Sequence, residues 1–196
     1  MNIGQRKKED NTMIDFITLS NLKNLISGVV VHPLKVHKDE SGILIEALKT
    51  TWTDIYGEKY PFAQCYFSVT PAGQIRDRDV WHVHPTKQDD RFLAARGDII
   101  TAIYYSRPQS PTYGVLNLFK MGQNLGDECQ FSVLIPKGTL HGFAVISKTE
   151  ALLLNFPTTI YDLNEEGRVS HLEAQAKFSD KTLFNWDKVI SEAVKI

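Results

Sequence analysis

Cysteine is scarce in this chain: Cys65 and Cys129 are the only two among 196 residues, and they stand far apart. That excludes a disulfide framework or a clustered zinc site, and the expectation is two buried free thiols. No apolar run approaches the length of a membrane span, and the first twelve residues are polar and charged, without the apolar stretch of a secretory leader. A cytoplasmic protein with no membrane partner is therefore expected. Neither sign of charge is in excess, since 22 basic residues face 23 acidic ones for a formal net charge of -1. No bulk field draws the chain to nucleic acid. Internal repeats and low-complexity segments are also missing.

What is present suits one domain of ordinary size. Residues 1–12 are expected to be a polar tail, and residues 13–196 a single domain with a helical C-terminal tail. Leu19, Leu22 and Leu25-Ile26 predict one side of a short helix capped by Ser20 and ended by Gly28. Segments rich in β-branched and aromatic residues follow at 29–36, 43–48, 63–69, 91–95, 99–105, 114–119, 130–135, 142–146 and 151–156, with another near His82. Pro33 inside the first of these implies an edge or a bulge. Turn residues bound each segment, and the count suits an all-β jelly-roll barrel whose mouth can hold a ligand. Leu183, Trp186, Val189-Ile190 and Val194 fall near helical spacing, so a small helix is expected outside the barrel at the C-terminal end.

The chemistry gathers around Trp81-His82-Val83-His84-Pro85-Thr86-Lys87-Gln88. Two histidines one residue apart on an extended segment face the same side, because side chains alternate with a period of two. A third imidazole arrives in Pro136-Lys137-Gly138-Thr139-Leu140-His141-Gly142-Phe143. If strand pairing brings His141 beside His82 and His84, three imidazoles and the Gln88 amide line one pocket. Such a pocket suits either a metal ion or acid/base chemistry.

Two further segments sharpen this. Arg107-Pro108-Gln109-Ser110-Pro111-Thr112-Tyr113-Gly114 resembles an R-x-x-S-P-T-[FY]-G signature, and Ile135 to Phe143 resembles I-P-x-G-x-x-H-G-F. Asp39-Glu40-Ser41-Gly42-Ile43-Leu44-Ile45-Glu46 is similar to D-E-R-G-x-x-x-E, and Gln88, nine residues before Gly97, has the spacing of a Q-x-K segment. In this order, over about residues 28–161, the chain resembles the cupin superfamily and within it the dTDP-4-dehydrorhamnose 3,5-epimerase family. The resemblance implies a cupin jelly roll and a nucleotide-linked 4-keto-6-deoxyhexose as the small-molecule partner. It also implies no cofactor, and a homodimer that exchanges an N-terminal strand.

In that family a histidine of an R-G-L-H segment is the base, a tyrosine after the last core strand is the acid, a lysine steadies the enolate, and arginines hold the diphosphate. Carried over, the resemblance gives His82 or His84 as base, with His141 beside them. Arg76, Arg78, Gln88, Glu46, Asn155 and Tyr161 make up the substrate-binding set. The chain departs from the pattern in four places. Arg76-Asp77-Arg78-Asp79-Val80 precedes the histidines, Asp90 stands where the lysine is expected, Asn155 where the tyrosine is, and Ser41 where a phosphate-binding arginine is. These departures predict an altered, single-step epimerase or isomerase more than a full two-centre epimerase.

Epimerisation beside a ketone needs a base, a stabiliser of the enolate oxygen and an acid on the opposite face. Histidine titrates closest to neutral pH and meets the first need. Asn155 cannot lend a proton as tyrosine does, which leaves Tyr66, Tyr104, Tyr105 and Tyr161 on neighbouring strands. A competing reading takes His82, His84, Gln88 and His141 as ligands of a divalent transition metal, since they resemble the H-x-H-x-x-x-[EQ] and P-x-G-x-x-H pattern of metal-dependent cupin oxygenases and isomerases. A third keeps the barrel as a non-catalytic sugar-nucleotide binder. Simpler roles are expected elsewhere: His32 and His37 at a strand edge, His171 in solvent, Trp52, Trp81 and Trp186 as packing anchors. Arg76 and Arg78 either touch phosphate or pair with Asp77 and Asp79 in an exposed loop.

Overall fold

Residues 14–194 are described by the structure, a computed structural model, so the polar stretch 1–12 lies outside the described residues. In chain order the strands are β1 (Val30–Pro33), β2 (Val36–Asp39), β3 (Gly42–Ile45), β4 (Tyr66–Thr70), β5 (Ile75–Arg76), β6 (Val80–Val83) and β7 (Asp90–Arg96). They continue with β8 (Asp98–Tyr104), β9 (Leu116–Gly122), β10 (Phe131–Ile135), β11 (Leu140–Val145), β12 (Ala151–Asn155) and β13 (Gly167–Ser170), then the short helices α1 (His171–Ala174) and α2 (Trp186–Ala193). One sheet runs β1-β10-β7-β12-β4, the other β13-β6-β11-β8-β9 with β5 also on β11, and β2 and β3 form a separate hairpin. The fold is an all-β jelly roll, as the strand pattern predicts.

Period-two alternation explains how the sheets meet. Phe92 and Ala94 of β7, Phe131, Val133 and Ile135 of β10, and Ala151 and Leu153 of β12 point inward against Ile99 and Ile103 of β8 and Phe143 and Val145 of β11. The intervening residues of β8, Ile100, Ala102 and Tyr104, face the other way and are buried too. That is why Asp98–Tyr104 reads as an almost unbroken apolar run. Their cover is the C-terminal segment, whose Ala176, Phe178, Phe184, Trp186, Val189 and Ala193 pack with Trp81 and Leu118. Burying each large side chain there contributes about 1.5–3 kcal/mol.

Helix α2 begins where the Asn185 side chain accepts a hydrogen bond from the Lys188 amide at 3.1 Å, an N-cap that leaves Trp186, Val189 and Ala193 on the buried face. The helix expected over Leu19 to Ile26 does not form. Instead the Asn21 side chain accepts from Thr18 N–H at 2.6 Å and donates to the Phe16 carbonyl at 2.8 Å, fixing a turn. The Ile26 amide donates to Asn117 Oδ1 at 2.8 Å. Short polar side chains that bond the local backbone compete with helix in this way. The first predicted strand also breaks: β1 ends at Pro33 on the edge of its sheet, and the chain leaves for the hairpin.

Two packing expectations are corrected. Cys129 is buried, but Cys65 is exposed, because it precedes the edge strand β4 instead of lying within a covered sheet. His171 is not solvated: its ring lies 5.2 Å from Trp81 and 5.3 Å from Phe184, drawn in by the apolar C-terminal layer.

Candidate active site

Strand β6 places Trp81 and His82 on opposite faces. Trp81 is buried outward against Phe184, with ring centroids 4.6 Å apart, so His82 turns into the barrel. Antiparallel pairing sets His141 of β11 directly across from His82. The signature residues then lock the turns around them. The Gly138 amide donates to the His84 carbonyl at 2.6 Å, and the Arg107 guanidinium donates to the Pro85 carbonyl. Gly138 has φ 77°, and a Cβ there would run into Arg107, so this turn requires glycine.

The three imidazoles converge, with candidate ligand nitrogens all within 4.8 Å of one another. His84 Nδ1 lies 2.7 Å from the Glu165 carbonyl, and His141 Nδ1 lies 3.2 Å from the Thr139 carbonyl. A carbonyl can only accept, so each ring carries its proton on Nδ1 and presents a lone pair at Nε2. His84 Nε2 receives the Gln88 amide at 2.9 Å and stands 3.0 Å from His82 Nε2. On its other side His82 Nδ1 is 3.7 Å from Glu166 Oε1. Burial, reinforced by His141, His84 and two nearby arginines, pushes His82 down to about 2. Burial also lowers His141, against the opposing charge of Asp90. Both rings are neutral at physiological pH.

The opposite sheet answers with a buried polar network. Asp90, at the start of β7, accepts at Oδ1 from the Gln88 and Asn155 amides, both at 2.8 Å. Its Oδ2 stands 3.4 Å from the Nε2 atoms of His84 and His141. Asn155 is fully buried, accepts from Arg91 N–H at 3.0 Å, and donates to Tyr66 Oη at 2.7 Å. Gln88 is held from the far side by Thr159 Oγ1, which donates to Oε1 at 3.2 Å.

Between these walls lies a cavity of about 380 Å³, lined among others by Tyr66, Arg76, His82, His84, Gln88, Asp90, His141, Tyr161, Glu166 and Arg168. Its size is that of a small-molecule pocket. At the mouth Tyr161 donates to Glu166 Oε2 at 2.8 Å, and Arg168 to Glu166 Oε1 at 2.6 Å. Burial opposes ionisation of Glu166, but these two hydrogen bonds outweigh it and hold the carboxyl below its usual range.

Of the predicted residues, His82, His84, His141, Gln88, Arg76 and Tyr161 meet in this cavity, and Asn155 stands behind its wall. Arg78 and Glu46 are not brought to it. Arg78 pairs with Asp187 at 3.1 Å instead of its sequence neighbours, and Glu46 pairs with Lys49 at 2.6 Å. Glu166 and Arg168 are the residues that the sequence reading missed. They come from the acidic turn 162–166 and from β13, a strand too short to announce itself, which pairs Arg168 with His82. The one available signal was the switch from acidic Glu165-Glu166 to basic Arg168 across Gly167 after the last apolar strand.

A jelly roll with imidazoles converging at the mouth of a cavity of this size defines a cupin. The family profile described as dTDP-4-dehydrorhamnose 3,5-epimerase matches residues 23–193, and the chain belongs to that family. It is 35% identical over 140 residues to the "Probable low-salt glycan biosynthesis epimerase Agl13" of Haloferax volcanii, covering 71% of this chain and 83% of the relative. Among solved structures, a dTDP sugar isomerase from Desulfovibrio desulfuricans superposes with a TM-score of 0.67 at 22% identity, covering 83% of this chain and 92% of that one. NovW of Streptomyces spheroides, a 4-keto-6-deoxy sugar epimerase, gives 0.62 at 25% identity over 74% and 70% of the two chains. Among the described residues no helix is long and apolar enough to cross a membrane.

Proposed function

We propose that the protein epimerises or isomerises a nucleotide-linked 4-keto-6-deoxyhexose, with His82 removing the proton beside the ketone. The observation that carries this is the placement of His82: it opens on the cavity and is neutral, hence able to take a proton, and the Glu166 carboxylate 3.7 Å from its Nδ1 is placed to offset the burial that opposes the imidazolium. His84 is less suited, since it is buried deeper and is held by the Glu165 carbonyl, Gln88 and His82, whereas His82 has only His84 within hydrogen-bond reach. Arg76 and Arg168 at the mouth carry the charge needed to hold a diphosphate. This reading calls for no cofactor. Incubation with dTDP-4-keto-6-deoxyglucose in deuterated water is expected to place solvent deuterium at a carbon beside the ketone. No exchange by the wild type would end the proposal.

A homodimer is part of the same reading. Phe67 and Val69 alternate with the cavity-facing Tyr66 and Ser68 on edge strand β4, and they expose 63% and 47% of their surface. An uncovered apolar face on an edge strand is a docking surface for a second copy. Light scattering is expected to give twice the chain mass.

One observation favours a second reading. The Nδ1 protons of His84 and His141 are committed to carbonyls, the arrangement that prepares imidazole Nε2 for a metal, and the Asp90 carboxylate stands 3.4 Å from both Nε2 atoms. His82, His84 and His141, with Asp90 or Gln88, would hold a divalent transition metal that supplies Lewis acidity. Elemental analysis and titration with zinc, nickel and manganese test it; no binding by any of them removes this reading.

A further inference from the structure

The proposed epimerisation needs a proton donor facing the base from the other side of the sugar, and the position where the related enzymes' tyrosine was expected holds Asn155. We infer that Tyr66 is the catalytic acid, held by Asn155 as its positioning residue. This rests on the reading of His82 as base.

The geometry follows from strand register. Asn155 of β12 pairs directly with Tyr66 of β4, and side chains opposite one another in an antiparallel pair share a face about 4.5–5.5 Å apart. The Asn155 amide donates to Tyr66 Oη at 2.7 Å. A phenol therefore reaches the cavity from one strand over, while Asn155 stays buried in the wall. His82 belongs to the opposite sheet, so base and phenol face each other across the cavity that both line. The other cavity tyrosine, Tyr161, has its hydroxyl spent on Glu166, the carboxylate on the His82 side. On the Tyr66 side the remaining hydroxyl is Ser68, a much weaker acid, and Asp90 accepts hydrogen bonds without donating one.

The step balances without a further reactant. The His82 imidazole takes the proton from the carbon beside the ketone, the C–H electron pair becomes the enolate double bond, and the carbonyl pair moves to oxygen. Collapse of the enolate returns that pair to oxygen's carbon as the ketone, while the inverted carbon takes the proton of the Tyr66 hydroxyl. The resulting phenolate keeps the Asn155 hydrogen bond and regains a proton from solvent, as His82 releases its own. Burial, with the nearby Asp90 charge, pushes the Tyr66 phenol up to about 12, so it enters the cycle protonated, and the Asn155 bond acts in the opposite sense, favouring the phenolate.

Tyr66→Phe separates the two half-steps. With the keto-sugar in deuterated water, the variant is expected to keep deuterium exchange within about threefold of the wild type while inversion falls about 10²–10⁴-fold, the usual share of a general acid. Adding Asn155→Tyr to that variant is expected to restore inversion, because it returns a phenol to the same patch of wall. Inversion by Tyr66→Phe at the wild-type rate would overturn the inference. So would equal loss of exchange and inversion, which marks a structural role. A wild type that shows no exchange removes the epimerase reading itself and this inference with it, whereas exchange without dependence on Tyr66 removes the inference alone.

Discussion

The two sheets differ on both of their faces. The sheet containing β6 and β11 presents neutral imidazoles to the cavity and is covered outside by the chain's own C-terminal segment. The sheet containing β7, β12 and β4 presents Asp90 and Tyr66, backed by a buried amide, and leaves Phe67 and Val69 bare outside. The difference teaches where each wall gets its rigidity. The base-bearing wall is braced by packing from behind, and two of its histidines are also tied to backbone carbonyls, His84 to Glu165 and His141 to Thr139. The other wall is braced from within, by a network in which Gln88, Asp90, Asn155 and Tyr66 satisfy one another. Gln88, Asp90 and Asn155 are buried, so removing one of them strands the polar groups of the others, whereas Tyr66 lies at the more exposed edge of the network.

Several substitutions set the walls against each other. The largest effect is expected from His82→Asn, which should cut deuterium exchange about 10²–10⁴-fold while leaving the melting temperature unchanged or raised, because a buried titratable ring is gone; assays of exchange and thermal unfolding on one preparation check both halves. Next, Trp186→Ala opens the outer brace behind the imidazole wall and should cost about 3–5 kcal/mol in denaturant unfolding. Its exchange activity should fall below the melting transition as well, since Gly142 of β11 lies against the Trp186 ring. Equal activity in the folded variant would mean that the brace does not position the histidines.

A smaller effect comes from pH. His82 and His141 are both held below their ordinary value of 6.5 in the native state. Below that value the unfolded chain takes up protons that the native chain refuses, so stability falls as pH drops. In chelator-treated protein the share owed to His82 should approach about 1.4 kcal/mol per pH unit between roughly pH 6 and pH 5, and His82→Gln should remove it, while His141 adds a loss of the same sign. A flat profile in that window would contradict neutral buried imidazoles. The smallest expected effect on stability is that of Phe67→Ser on the bare outer face, within about 0.5 kcal/mol for the protomer, yet it should convert the dimer to monomer by light scattering.

Legibility followed pattern strength. The jelly roll and the histidine cluster could be read directly, because His82-Val83-His84 obeys the strand period and His141 sits in a glycine turn whose signature residues, Gly138 and Arg107, meet around His84 and Pro85 in the fold. Charged residues were read less well. Arg76 and Arg78 look alike in sequence, and only pairing of β5 with β11 sends Arg76 to the cavity while Arg78 reaches Asp187. Glu166 and Arg168 were invisible because their placement depends on β13, which has no pattern of its own and forms by pairing with β6. The helix expected over Leu19 to Ile26 failed for a local reason, the Asn21 turn, that apolar spacing does not report. Tyr66 stood among four candidate tyrosines until register set it against Asn155.

The central claim is that the two walls divide one proton exchange between them, removal at His82 and return at Tyr66. It is tested most directly by following dTDP-4-keto-6-deoxyglucose in deuterated water by NMR, with wild type and Tyr66→Phe side by side. The account predicts deuterium entering with inversion at a carbon beside the ketone in the wild type, and deuterium entering with retention in the variant. Inverted product from the variant at the wild-type rate, or no deuterium in either sample, would contradict it.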